Sequence, residues 1–170
     1  MSDRQTLREY QQALFERMRT QGGRETPMAS RLGLEAGSRK WLMRLEEAQE
    51  VISVAPLTSV PLTKSWFRGL ANIRGNLFSV VDLGAFAGAG LTTFGPEARL
   101  VLLADRFHVN AALLVQRLIG LRSVTEFDAD HSAPADQPWL TMYRDASGEH
   151  WHELSIHGLA RQPDFLQAGI

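Results

Sequence analysis

The sequence predicts a mostly β fold, and three observations carry the prediction. Short apolar runs recur from Lys40 to Leu154, several alternate polar and apolar positions, and Gly, Pro, Asn and Asp punctuate them. Many short strands of this kind close into barrels or stack as a sandwich. The 170 residues suit one domain or two small lobes, a size at which folding buries about 70% of the unfolded chain's surface.

The elements follow in order. Ser2 or Asp3 can cap a first helix whose apolar positions Leu7, Tyr10, Leu14 and Met18 recur at helical spacing and which ends near Gly22. Its stripe suits packing on its own domain or docking on another protein. Residues 21–37 are rich in glycine, proline and charge, which predicts a linker, so residues 1–37 read as an N-terminal helical extension and 38–170 as the main domain. Trp41, Met43 and Leu45 then alternate, Val51 to Val54 is extended, and Leu77 to Val81 is a core strand. Arg99 to Ala104, Val109 to Val115, Leu140 to Tyr143 and Glu149 to Leu154 continue the series, the last two joined by a turn at Ser147 and Gly148. Ser155 to Ala160 reads as helical, and Pro163 with Asp164 starts a last turn holding Phe165 and Leu166.

Composition narrows the function classes. Without cysteine there is no disulfide, thiolate metal site or cysteine nucleophile. The polar run Ser2 to Glu9 is not a signal peptide, and no run of about 18 apolar residues suggests a membrane span. A formal net charge of −1 disfavours a protein whose main work is neutralising a phosphate backbone.

The most informative segment is WFRGLANIRGNLFSVVDLGAF, from Trp66 to Phe86. Gly69 and Gly75 bracket Leu70 to Arg74, and Gly75 lets the chain turn at positive φ, leaving Arg74 at the shoulder of the turn. Arginine there offers a rigid, always charged fork to a partner, with Trp66 and Phe67 as aromatic anchors nearby. Asn72 suits the turn's backbone groups, and Asp82, before Leu83 and Gly84, suits a cap.

Gly69, Leu70, Ala71, Asn72, Ile73, Arg74, Gly75, followed by Val80, Val81, Asp82 and Leu83, resembles the signature of the CheW family of chemosensory coupling proteins. Further resemblance runs from Gly37 onward, including Val101 to Ala104 and Ala111 to Leu118 with Gly120. Thr63 to Trp66 and the closing WHELSIHGLARQPDFLQAGI look most like the pilus-type branch.

The resemblance implies two SH3-like five-stranded β-barrel lobes, with an N-terminal helix and a short C-terminal helix. It also implies a non-catalytic adaptor that links the cytoplasmic tip of a chemoreceptor to the regulatory domain of a histidine kinase. For the pilus branch, the implied system controls type IV pili and twitching motility from cytoplasmic arrays at the pole or membrane. Carried over, Asn72, Ile73 and Arg74 are receptor-contact candidates. Two departures stand out. Val115, Gln116, Arg117 and Leu118 replace a Val-Asp-Glu-Val run, and Arg44 takes the place of a proline.

Other motifs are weaker. Asp128, Asp130, His131 and Asp136 read as a solvated connection, and His150 and His152 as the outward face of a half-buried strand, so no metal and no cofactor are expected. Gly84, Gly88 and Gly90 lack the Gly-Lys-Ser/Thr ending of a phosphate loop. The competing function class is a barrel that binds single-stranded nucleic acid through Arg68, Arg74, Trp66 and Phe67. A hydrolase using His150, His152 and Asp145 lacks an assembled nucleophile, base and orienter.

Overall fold

The structure, a computed structural model, describes residues 30–132 and 136–170. The expected N-terminal helix lies outside the described residues. Among the described residues, eleven strands form two sheets. The six-stranded sheet runs β8-β1-β2-β11-β10-β9, with β1 (Ser30–Ala36), β2 (Arg39–Arg44), β8 (Arg117–Ser123), β9 (Asp128–Asp130), β10 (Leu140–Arg144) and β11 (His150–Leu154). The five-stranded sheet runs β3-β6-β7-β5-β4, with β3 (Ala48–Ser53), β4 (Phe67–Ile73), β5 (Asn76–Asp82), β6 (Arg99–Leu103) and β7 (Ala111–Val115). Neighbours are antiparallel except β2 with β11 and β5 with β7. The described residues also hold three one-turn α-helices: α1 (Leu83–Phe86), α2 (Ile156–Leu159) and α3 (Pro163–Leu166). The two sheets stand where two five-stranded lobes were expected, one of them with an additional strand.

Sequence pattern explains the layering. In β6, Val101 and Leu103 enter the largest core cluster while Leu100 and Leu102 enter a second, and in β7 Leu113 and Val115 part in the same way from Ala112 and Leu114. Alternate side chains of a strand point to opposite faces, so a strand covered on both faces reads as an unbroken apolar run. The largest cluster holds Leu32, Leu34, Trp41 and Met43 of one sheet and Val81, Val101, Leu113 and Val115 of the other. It is shared between the sheets. Leu42, Phe127 and Trp151 form a small third cluster on the far face of the six-stranded sheet.

The boundary expected at residue 38 is corrected. Ser30–Ala36 is a strand paired on one side with β2 and on the other with β8. Its polar residues look like a linker, yet Leu32, Leu34 and Ala36 alternate and are fully buried. Asp128–Asp130 was expected in a loop and forms β9, where Asp130 accepts from Arg144 Nε (2.9 Å). Arg117, one of the departures from the family pattern, pairs with Glu35 across β1 and β8 (2.7 Å). Arg44 ends β2 with Nε 3.7 Å from Glu153.

Gly84 and Gly90 acquire a structural reason. A Cβ on Gly84 would lie 2.6 Å from the amide nitrogen of Gly37, in the β1–β2 turn, and 2.5 Å from the carbonyl oxygen of Gly90. Ser38 N–H donates to the Ala89 carbonyl (2.8 Å) and Ala89 N–H to that of Gly84 (2.7 Å). This backbone seam fastens the segment after β5 to the turn of the other sheet.

Glu47 sits on the 3-10 turn Leu45–Glu47 that carries the chain from one sheet to the other. Its side chain is buried, and its Oε2 meets no donor among the described residues. Burial pushes its carboxyl above the usual range, against the Ile156 amide and the charges of Arg44 and Arg106, with Glu153 adding to the rise. The folded state therefore holds this proton more tightly than the unfolded chain. Stability from this group is full below the unfolded value and is lost as pH rises through the higher folded one. Glu47→Gln is expected to gain stability relative to the parent as pH rises from acid to neutral, read as the difference in urea midpoint at each pH. A gap that stays constant or shrinks would contradict this.

Candidate functional site

The segment from Phe67 to Asp82 folds as a hairpin rather than as a glycine turn leading to one strand. Leu70 to Ile73 belong to β4, and Ile73 faces Asn76 across a two-residue turn made by Arg74 (φ 52°) and Gly75 (φ 84°). Two left-handed residues in succession match the right-handed twist of a hairpin. Glycine takes this conformation without strain; arginine does not, so Arg74 needs outside support. Asn72 Oδ1 accepts from the Gly75 amide (2.9 Å), as expected of a turn residue.

Support for Arg74 comes from β3. Its Nη1 donates to Glu50 Oε2 (2.6 Å) and its Nη2 to Glu50 Oε1, a bidentate pair. Hydrogen bonding to Glu50 raises the already high guanidinium pKa, so Arg74 stays charged at every physiological pH. The Glu50 side chain is 13% exposed and that of Arg74 62%. One face of the arginine is clamped and the remainder is presented to solvent.

β3 and β4 are the two edges of the five-stranded sheet, so the Glu50 contact shows the sheet curling until its edges meet. Between them lies a groove of about 320 Å³ lined by residues 50–56 and 72–74. Ile52, Val54 and Ala55 back onto the second core cluster and form its apolar side, while Asn72, Arg74 and Glu50 form its polar end. The other end is closed by reciprocal bonds between Thr58 and Leu70 (2.8 and 2.9 Å). Gly69 makes that closure possible. It has φ 126° at a register shift in β4, and a Cβ there would lie 2.4 Å from the Thr58 carbonyl.

Asp82 is the anchor at the base of the hairpin. Fully buried, it caps α1 by accepting from the Ala85 amide (3.1 Å) and also accepts from the Thr92 amide and hydroxyl (2.9 and 2.6 Å). Arg68 Nη1 completes the set at 2.9 Å. A carboxylate with four donors organises β4, α1 and the loop to Thr92 and has no proton-transfer task. Asp82→Asn is expected to lower stability by about 1.5 kcal/mol, by weakening charge-assisted bonds, without moving partner affinity. Thermal unfolding and a binding titration on one sample separate the two effects.

Other expected site residues are not gathered at the hairpin tip. Ile73 is 7% exposed and fills the second core cluster. Trp66 precedes β4, at the far end from Arg74, about 25 Å along an extended strand. It is buried, with its ring edge-on to Phe86 (5.0 Å between centroids), and Phe67 is half-buried against the largest cluster. The anchors expected beside Arg74 are thus core residues. A stacking surface of Arg68, Arg74, Trp66 and Phe67 does not form, since Arg68 is committed to Asp82.

Two residues at the tip escaped sequence reasoning. Leu77, opposite Asn72, is 53% exposed. Its outward direction follows from the alternation with Phe78 and Val80, which point inward. Glu50 had no local signal, because only the curl of the sheet brings it to Arg74.

His152 was expected to face outward and is buried beside Trp41 (5.2 Å), where desolvation lowers its pKa. His150 Nδ1 lies 3.5 Å from Asp130. Asp145 is a turn acceptor for Ser147 and Trp151, held at a pKa of about 2 chiefly by the Ser147 hydroxyl. Among the described residues no group of three or more His, Cys, Asp or Glu converges as metal ligands.

A sequence model of the CheW-like domain matches residues 31–163. Protein PilI of Pseudomonas aeruginosa is 29% identical over 147 residues, which cover 83% of this chain and 80% of that protein. Chemotaxis protein CheW of Thermotoga maritima is 24% identical over 106 residues, covering 62% of this chain and 69% of that one. Protein FrzA of Myxococcus xanthus is 31% identical over 83 residues, about half of each chain. Among solved structures, the scaffolding protein TtCheW from Thermoanaerobacter tengcongensis superposes with a TM-score of 0.63 at 15% identity, covering 76% of this chain and 90% of that one.

Proposed function

The chain belongs to the CheW-like domain family, whose members are non-catalytic scaffolds of chemosensory signalling, and from that premise we propose that it couples a chemoreceptor's cytoplasmic tip to the regulatory domain of a CheA-like histidine kinase. The likeness to PilI over most of the chain supports placing it in the system that controls type IV pili and twitching motility. The observation that carries the receptor contact is the hairpin tip. There a clamped, permanently charged Arg74 stands beside exposed Asn72 and Leu77, at the mouth of an apolar-sided groove. A preorganised arginine fork with an apolar neighbour is the composition of an interface anchor.

Signalling by such a scaffold needs no turnover. Holding receptor and kinase together lets a small receptor shift alter the kinase through contacts that differ between two states. No helix among the described residues is long and apolar enough to cross a membrane, so attachment to a polar or membrane array goes through the receptor in this reading. The test is a titration of the purified chain against the receptor tip and, separately, the kinase regulatory domain of the same organism. Saturable one-to-one binding to both is expected. Binding to neither, with salt-dependent binding to an oligonucleotide, would replace this reading with the nucleic-acid one.

A further inference from the structure

A second cavity, of about 330 Å³, lies at the other end of β4 from the hairpin tip, lined by Lys64, Trp66, Phe86, Asp136, Trp139 and Asp164 among others. Its size is that of a small-ligand site. The lining is mainly polar, and behind it stand largely buried aromatic rings: Phe86 is perpendicular to Trp66 at 5.0 Å and tilted to Trp139 at 5.5 Å. The rim is charged, with two carboxylates and one ammonium.

That ammonium shows what the cavity favours. Lys64 Nζ lies 5.9 Å from the centre of the Trp66 ring and 3.6 Å from Asp164 Oδ1. An aromatic face attracts a cation, and a carboxylate beside it adds direction. Yet the lysine is loosely held, because both side chains are open to solvent (37% and 86% exposed) and such a pair contributes little. With Asp136 also on the rim, the cavity keeps a formal excess of one negative charge after Lys64 is counted.

We propose that this cavity receives the guanidinium of an arginine side chain presented by a partner protein, and that Lys64 is the resident cation it displaces. Arginine suits the site better than lysine: its flat, weakly hydrated group stacks on an indole while its fork reaches a carboxylate. The site is separate from the hairpin tip, so the two surfaces can be occupied together.

The experiment titrates the full chain with N-acetyl-arginine amide and, in parallel, with the neutral N-acetyl-citrulline amide, following the indole N–H resonances of Trp66 and Trp139 by NMR. Saturable shifts with the arginine compound alone are expected. Lys64→Ala should tighten binding by about threefold or more, and Asp164→Asn should weaken it by about as much, the scale of one exposed charge pair. No shift with arginine, an equal response to citrulline, or affinity unmoved by either substitution would overturn the proposal. A structural role for Lys64 alone predicts no tightening in Lys64→Ala.

Discussion

Gly84→Val is expected to be among the most damaging substitutions at the described residues, costing about 3 kcal/mol or more and leaving little folded protein at 37 °C. Every atom that a Cβ would strike, at 2.5 to 2.8 Å, is backbone: the Gly90 oxygen and the Gly37 nitrogen and Cα. No rotamer change relieves such a contact, so the seam between the sheets must open. Gly95→Ala is the matched control, because a Cβ there meets nothing within 4 Å. It should lie within about 0.5 kcal/mol of the parent. Urea unfolding of the two variants decides the matter, and parental stability in Gly84→Val would mean that the seam is not close-packed.

Arg74→Glu is expected to weaken binding to the receptor tip by about 2 kcal/mol or more, roughly thirtyfold, while the fold survives. The new carboxylate would face Glu50 and swing away, removing both the exposed charge and its clamp. The unfolding midpoint should fall modestly, because the turn loses the support of Glu50 and that nearly buried carboxylate loses this partner, while the protein stays folded. A charge-swapped protein, with Glu50→Arg added to Arg74→Glu, separates the two roles. Affinity that stays low in the swap assigns the loss to arginine's contact with the receptor. Recovery assigns it to the clamp that shapes the turn. Parental affinity in a folded Arg74→Glu protein would remove Arg74 from the interface.

Legibility in the sequence tracked the range of the cause. The runs starting at Leu77, Arg99, Val109, Leu140 and Glu149 each match a strand to within two residues at either end, because alternation and unbroken apolar runs are imposed by the pleat itself. Asp82 as a cap and Asn72 as a turn acceptor were equally readable, since each bonds a backbone group three residues away. Residues 30–36 misled because Arg31, Gly33 and Glu35 carry loop composition while their neighbours alternate; in a strand covered by partners on both sides, the alternation governs. Trp66 misled for a related reason. An aromatic next to a signature arginine looks like an anchor, but an extended strand moves it to the opposite end of the lobe.

By itself, then, the sequence determined a mostly β chain, the positions of most strands, the Asn72–Gly75 turn and the Asp82 cap, since these depend on pleat period and turn chemistry within a few residues. The tertiary structure alone decided that β1 belongs to the six-stranded sheet, that Gly37, Gly84 and Gly90 meet in the seam, that Trp66 is largely buried, and that Glu50 clamps Arg74 at the mouth of a groove. Each of those rests on contacts between distant parts of the chain, 24 residues apart for Glu50 and Arg74. Which distant residues meet is set by how the sheets curl and share one core, and no local pattern carries that information.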